Sequence, residues 1–332
     1  MTPPTTPDPG DDLLRAEEKA RALMGARWTR GVMPSQAGRR VLVTGGTRGL
    51  GRSVATALAA RGAHVVITGT QPRQAIAVAS EIEASLRGKG APAGSVMGLG
   101  LDLADLDDVG ALAEQLTAPI DCLVDNAGIM WGPYATTNLG VERQLAVNFL
   151  GHFALVGRLL PRLMAGRAPR VVSLSSTYHR YGDLRPTSLD VTADAYRPNA
   201  AYGASKLATL AFARELGRWA RWHGLPLTSV AAHPGWADTE LQTLQVPRAQ
   251  RWLMRVANAT LAVPVDVGAD PILCAASAPG LPSGVFVGPS RLGGYRGAPG
   301  IATSTAAAND PAAAARLWEW ASARTGIRYL DS

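Results

Sequence analysis

Between an apolar run, Val41-Leu42-Val43, and a stretch that reads as a helix, Ser53-Val54-Ala55-Thr56-Ala57-Leu58-Ala59, the chain places Thr44-Gly45-Gly46-Thr47-Arg48-Gly49-Leu50-Gly51. A glycine-rich turn joining a strand to a helix lets backbone amides and a helix N-terminus approach a pyrophosphate closely. With 36 glycines in 332 residues a chance glycine pattern is easy to find. The signal lies in the position of this one, after a strand and before a helix.

The same rhythm continues down the chain. Short apolar runs alternate with helical stretches, which argues for βαβ units and a parallel sheet. The predicted strands are Arg40–Thr44, His64–Thr68, Val96–Asp102, Cys122–Asn126, Arg170–Ser175, Thr228–His233 and Val285–Gly288. Seven strands in that order predict an α/β fold, a doubly wound Rossmann-type parallel sheet with helices on both faces. No internal repeat or linker divides it, so 39–332 is expected to be a single domain with a C-terminal helix. Residues 1–38 form an extension. Its first ten residues are Pro/Thr/Asp-rich and expected to be disordered, and a helix is predicted from Asp11 to about Arg27. The longest predicted helices are Val141–Met164 and Tyr202–Trp222, each with apolar residues at helical spacing.

Composition narrows the classes. A 47% apolar content supplies a core, and 18% charged residues is low for a disordered chain. Cys122 and Cys274 lie in apolar surroundings and read as reduced, buried thiols. No apolar run reaches the ~20 residues of a membrane span, and the N-terminus lacks the order of a secretion signal. A soluble, cytoplasmic protein with no membrane contact is expected. Of 33 basic residues only Lys19, Lys89 and Lys206 are lysine, so the net charge of +7 reflects arginine-rich coding. The basic residues are scattered, without the clustering of a nucleic-acid binder, and no nucleic-acid partner is expected.

Against that scarcity, one lysine falls in Tyr202-Gly203-Ala204-Ser205-Lys206. The spacing puts a phenol and an ammonium on one face of a helix. A free phenol has a pKa of ~10, too high for a good base near neutrality. A neighbouring ammonium favours the phenolate. Ser176, the second serine in Val171-Val172-Ser173-Leu174-Ser175-Ser176, lies just beyond a strand end, and Ser175 is its competitor.

With these motifs the chain resembles the short-chain dehydrogenase/reductase family over roughly residues 28–290. Trp28-Thr29, Met33-Pro34 and His233-Pro234-Gly235-Trp236-Ala237-Asp238-Thr239-Glu240-Leu241 are similar to the branch containing retinol dehydrogenases and protochlorophyllide reductases. The resemblance implies Tyr202 as general acid/base, Lys206 as its charge partner, Ser176 holding the substrate oxygen, and Asn148 kinking a helix to hold a water on the lysine. It implies no metal. Gly45, Gly49 and Gly51 match the family's glycine turn, and Thr47, Arg48, Leu50 and Thr70 complete its neighbourhood. Asp102 and Leu103 would contact adenine, Asn126, Ala127 and Gly128 the adenosine ribose, and Pro234, Gly235 and Thr239 the carboxamide. The family usually has a second asparagine where this chain has Asp125.

The cofactor expected is NADP, with NAD possible. No acid follows Val65-Val66-Ile67-Thr68, and Arg48 matches a position that is often basic in NADP-preferring relatives. A second arginine that those relatives carry near Thr70 is missing, and Arg73 is a candidate replacement. The 25 residues 177–201 contain Tyr178, His179, Tyr181 and Tyr196 and are expected to wall an apolar pocket. Leu241–Val263 corresponds to the family's mobile lid. Trp236 is either a pocket wall or packing, and His179 reads as a loop residue. The expected substrate is a hydrophobic ketone, aldehyde or alcohol. Reduction of a conjugated C=C bond and a non-catalytic NADP-binding module are the alternatives. The two long helices match a pair through which many relatives associate, so a homo-oligomer is allowed.

Overall fold

The computed structural model describes residues 9–24, 28–87, 94–236 and 263–329. Strands β1 (Arg40–Val43), β2 (His64–Gly69), β3 (Ser95–Gly100), β4 (Cys122–Asp125), β5 (Arg170–Leu174), β6 (Thr228–Ala232), β7 (Phe286–Arg291) and β8 (Arg296–Ile301) form one sheet. Its order is β3-β2-β1-β4-β5-β6-β7-β8. Neighbours through β7 run parallel, and β8 lies antiparallel to β7. The seven expected strands are present. The eighth, with Gly297, Pro299 and Gly300, carries the composition of a loop and is tolerated as a strand because it is an edge.

The helices are α1 (Pro9–Leu23), α2 (Gly49–Ala59), α3 (Pro72–Arg87), α4 (Leu106–Gln115), α5 (Arg143–Leu145), α6 (Gly151–Met164), α7 (Pro186–Leu189), α8 (Pro198–Trp222), α9 (Val265–Ser277) and α10 (Pro311–Thr325). Both faces of the sheet are covered, so central strands are apolar throughout: Val41 and Val43 enter one core with α2, α3 and α9, while Leu42 enters the other with α6 and α8. The sheet order reverses between β1 and β4, and the crevice of such a fold opens there.

Three expectations are refined. The predicted helix Val141–Met164 is α5 and α6 joined through a π-helical turn, Ala146–Leu150, which contains Asn148. Of the first ten residues Pro9 and Gly10 begin α1, and 1–8 lie outside the described residues. The extension is integral to the core: Ala20, Trp28 and Met33 are buried in it, and Glu17 faces the fully buried Arg214 of α8 at 3.7 Å.

Most of the helix pair α6/α8 is buried within this one chain, though Trp222 at the end of α8 is exposed. Trp318 of α10 lies 5.3 Å from Phe153, ring centre to ring centre, and Tyr329 donates to the Phe153 carbonyl at 2.7 Å. Asp310 caps α10 through the Ala312 and Ala313 amides, and Gly326 (φ 67°) ends it. Cys122 and Cys274 are buried free thiols. Among the described residues no helix is long and apolar enough to cross a membrane.

Candidate active site

The glycine turn is a close backbone crossing. A Cβ on Gly45 would stand 2.9 Å from the Ala127 Cα, and one on Gly51 only 2.3 Å from the Gly45 carbonyl oxygen. Gly45 (φ 64°) and Gly49 (φ 54°) take left-handed backbone. Asn126 straps the turn, its Nδ2 donating to the Thr44 and Gly45 carbonyls at 2.8 and 3.2 Å. The Thr44 hydroxyl accepts the Asn126 and Ala127 amides at 2.9 Å each. Behind it lies His152, Nε2 2.9 Å from that hydroxyl and Nδ1 3.2 Å from the Asn148 carbonyl. A carbonyl only accepts, so Nδ1 carries the proton and Nε2 accepts from Thr44. Burial pushes the His152 pKa down to about 3, which keeps the ring neutral.

No side chain caps α2, whose first turn is Gly49-Leu50-Gly51. Its leading amides therefore remain for a ligand. Together with the glycine cradle they fit a dinucleotide pyrophosphate.

One cleft of about 620 Å³ runs from this turn to Tyr202. Gly45, Thr47, Arg48, Gly49, Leu50, Gly51, Thr70, Asp102, Leu103, Asn126, Ala127, Gly128, Ser176, Tyr202, Lys206, Pro234 and Gly235 all line it. Thr239 and most of the expected lid segment lie outside the described residues. Thr70, Gln71 and Gln74 line the end near Arg48, and Arg73 does not.

Ser176 and Ser175 part company. Ser175 Oγ donates to the Lys206 carbonyl at 2.7 Å, tying β5 to α8. Ser176 Oγ accepts the Tyr178 amide at 3.2 Å, and the same serine opposes the rise of the Tyr202 pKa. Lys206 Nζ lies 5.7 Å from the Tyr202 ring centre and donates to the Leu174 carbonyl at 2.8 Å. Asn148 is buried. Its amide grips Ile129 like a strand partner, Oδ1 accepting the N–H at 2.8 Å and Nδ2 donating to the carbonyl at 2.9 Å. It also donates to Ser205 Oγ at 2.9 Å, joining the π turn to the helix of Tyr202 and Lys206.

A family profile described as short chain dehydrogenase matches residues 39–249. The chain belongs to the short-chain dehydrogenase family. Polyprenol dehydrogenase of Mus musculus is 41% identical over 261 residues, 75% of this chain and 75% of that one. Retinol dehydrogenase 13 of Homo sapiens is 36% identical over 219 residues, and this chain spans 64% of that relative's length. An uncharacterised Mycobacterium paratuberculosis protein superposes with a TM-score of 0.75 at 36% identity, covering 92% of this chain and 100% of its own. An NAD(P)-dependent gluconate 5-dehydrogenase assignment from Beutenbergia cavernae, with NADP bound, gives 0.56 at 29%, covering 74% and 91%. The relatives place the chain in the retinol dehydrogenase-like branch.

In this short-chain dehydrogenase, burial decides the charge states at the cleft. It raises the Tyr202 phenol to about 12, with Ser176 opposing the rise. The Lys206 ammonium is lowered by burial to about 8. Tyr202 is therefore a phenol, ready to donate a proton, across the neutral range. The expected lowering by Lys206 is not seen: desolvation sets the direction, and Ser176 is the group that opposes it.

The far wall holds residues the sequence did not single out. Met130 and Trp131 line the cleft beside Tyr178 and Trp236. Trp131 has φ 59°, in the left-handed region that non-glycine residues rarely adopt. Its amide donates to Gln144 Oε1 at 2.9 Å, and Gln144 Nε2 in turn donates to the Tyr196 hydroxyl at 2.9 Å. That hydroxyl donates to the Gly132 carbonyl at 2.6 Å. Tyr196 thus braces the tryptophan loop instead of facing substrate. Tyr181 points outward, 70% exposed, and His179 is buried. Of the four aromatic residues expected in the wall, Tyr178 is the one that lines it.

Proposed function

We propose that this chain is an NADP-dependent oxidoreductase that transfers a hydride between nicotinamide and a hydrophobic ketone or aldehyde, or the corresponding alcohol. The observation that carries the reading is the meeting of Ser176, Tyr202 and Lys206 at one end of the cleft whose other end is the glycine cradle. The bound nicotinamide would supply or accept the hydride. Ser176 donates to the substrate oxygen and holds it toward Tyr202, whose hydroxyl delivers the proton that turns the carbonyl into an alcohol. Lys206 stays charged below about pH 8 and stabilises the phenolate left behind. Asn148 holds the π turn and the helix of Tyr202 in register.

Apolar rings from Trp131, Tyr178 and Trp236 favour a hydrophobic substrate, and the relatives' names point to isoprenoid alcohols. The α6/α8 face is covered by α10 and Tyr329, so self-association would use another surface. Two buried thiols favour a reducing compartment, the cytoplasm.

The test is NADPH oxidation with citral, farnesal, all-trans-retinal and simple ketones, run beside Tyr202→Phe. Turnover lost about 1,000-fold in the variant, with NADPH still bound, is expected. Turnover unchanged by the substitution would refute the assignment of Tyr202. For the cofactor, Arg48→Ala should raise the NADPH dissociation constant far more than that of NADH. Equal loss for both would remove the NADP preference.

A further inference from the structure

We infer that His179 is a positioning residue for Ser176, acting through its neutral Nδ1–H. Ser176 caps the 3₁₀ turn Thr177–Tyr181 that follows β5, and its carbonyl accepts twice from one residue: the His179 amide at 3.1 Å and His179 Nδ1 at 2.7 Å. Two donors fill both lone pairs of that carbonyl and fix the plane of the Ser176–Thr177 peptide. The Ser176 hydroxyl is held separately by the Tyr178 amide at 3.2 Å. Backbone and side chain of the serine are thus both tied to the same turn.

The turn is in turn seated on the helix that carries Tyr202. A Cβ on Gly182 would stand 2.3 Å from the Gly203 carbonyl oxygen, so turn and helix meet backbone to backbone. The placement of Ser176 against Tyr202 is set by this contact and by the two His179 bonds.

The ring itself is 1% exposed and lies edge-on to Phe286, with centres 5.5 Å apart at 87°. Its Nε2 is buried and makes no hydrogen bond. A leucine would fill this apolar site without leaving a polar atom unpaired. What histidine adds is the Nδ1–H on the Ser176 carbonyl. A second proton at Nε2 would find no acceptor and would add a cation near those of Arg180 and Arg214, and burial already disfavours it.

The assignment rests on the reading of Ser176 as the group that holds the substrate oxygen. His179→Leu should lower kcat about 10- to 30-fold, since small misplacements at a reacting centre are expensive, while the NADPH dissociation constant stays within about 2-fold. His179→Asn places an amide N–H near the Nδ1 position and should recover activity to within about 3-fold of the parent, whereas His179→Gln, which reaches the Nε2 position, should not. In a Ser176→Ala background, His179→Leu should cost less than about 2-fold more, because the two act through one group. Nitrogen NMR of the intact protein at pH 7 should show His179 as the neutral Nδ1–H tautomer, a readout independent of turnover and of any variant.

An Nε2–H tautomer, an imidazolium, or equal losses in the Asn and Gln variants would overturn the role. Turnover that vanishes in Tyr202→Phe but is indifferent to His179→Leu would overturn it while leaving the catalytic reading intact. Turnover that survives Tyr202→Phe would instead remove the catalytic reading, and the assignment with it.

Discussion

The cofactor wall of the cleft is made of strand ends and glycine turns, whereas the substrate wall is made of large side chains on loops. On the first wall, Gly45 and Gly51 bring backbone against backbone, and the short side chains of Thr44 and Asn126 tie the ends of β1 and β4 together. On the second, Trp131 is held in a left-handed conformation by Gln144, and Gln144 by Tyr196 from a segment over fifty residues away. The first wall has almost no room to change. The second changes its shape with one or two residues. Backbone packing therefore fixes the cofactor wall, while the choice of side chains shapes the substrate wall.

The sharpest way to break this contrast is at the glycines. In Gly51→Ala the new Cβ would stand 2.3 Å from the Gly45 carbonyl, and we expect NADPH affinity to fall about 100-fold. Gly49→Ala meets nothing within 4 Å and bears only the conformational cost of φ 54°, about 1 kcal/mol. Similar affinities in the two variants, measured by fluorescence titration, would remove the claim of a rigid cradle.

Next in size is the pH dependence. The Lys206 ammonium, lowered to about 8 by burial, loses its proton as pH rises through that value. Carbonyl reduction should then fall roughly tenfold per pH unit above about 8, as a steady-state profile would reveal. A rate flat to pH 10 would contradict a role for the charged lysine.

On the substrate wall, Trp131→Ala should raise KM for a long apolar aldehyde about 5- to 10-fold and leave NADPH binding unchanged. Loss of NADPH affinity in that variant would mean that the two walls are not separable.

The smallest expected effect tests the cofactor wall from behind. Asp125 at the end of β4 is fully enclosed, and burial raises its pKa well above the usual carboxylate value, with Ser173 opposing. The folded chain then binds a proton that the unfolded chain has released, so between about pH 4 and the raised pKa stability falls as pH rises. Asp125→Asn removes that dependence. It should raise Tm by a few degrees at pH 8 and by less at pH 4, by calorimetry. A larger gain at pH 4 would reverse the sign.

The division between the walls is also the division in what the sequence made readable. Glycine turn, strand rhythm and the Tyr202/Lys206 spacing are local patterns, so they could be read residue by residue. Ser176 is favoured over Ser175 only through the resemblance, because which hydroxyl ties down the Lys206 carbonyl and which stays with the turn beyond β5 depends on partners outside the local pattern. His152 and Trp131 carried no signal: His152 is defined by Thr44, over a hundred residues away, and Trp131 by Gln144, itself braced by the distant Tyr196. The same holds for β8, whose glycines and prolines read as a loop until an edge of the sheet gives them a neighbour. The helix predicted through Val141–Met164 was right in extent, but its π turn depends on Asn148 reaching Ile129.

The most direct measurement is the fate of the nicotinamide hydrogen. NADPH carrying deuterium at nicotinamide C4 would be supplied with farnesal or all-trans-retinal, and the product analysed by mass spectrometry and NMR. The account predicts one deuterium on the carbinol carbon of the alcohol product, absent when Tyr202→Phe replaces the parent. Deuterium on a carbon of the conjugated C=C bond, with the aldehyde intact, would contradict it.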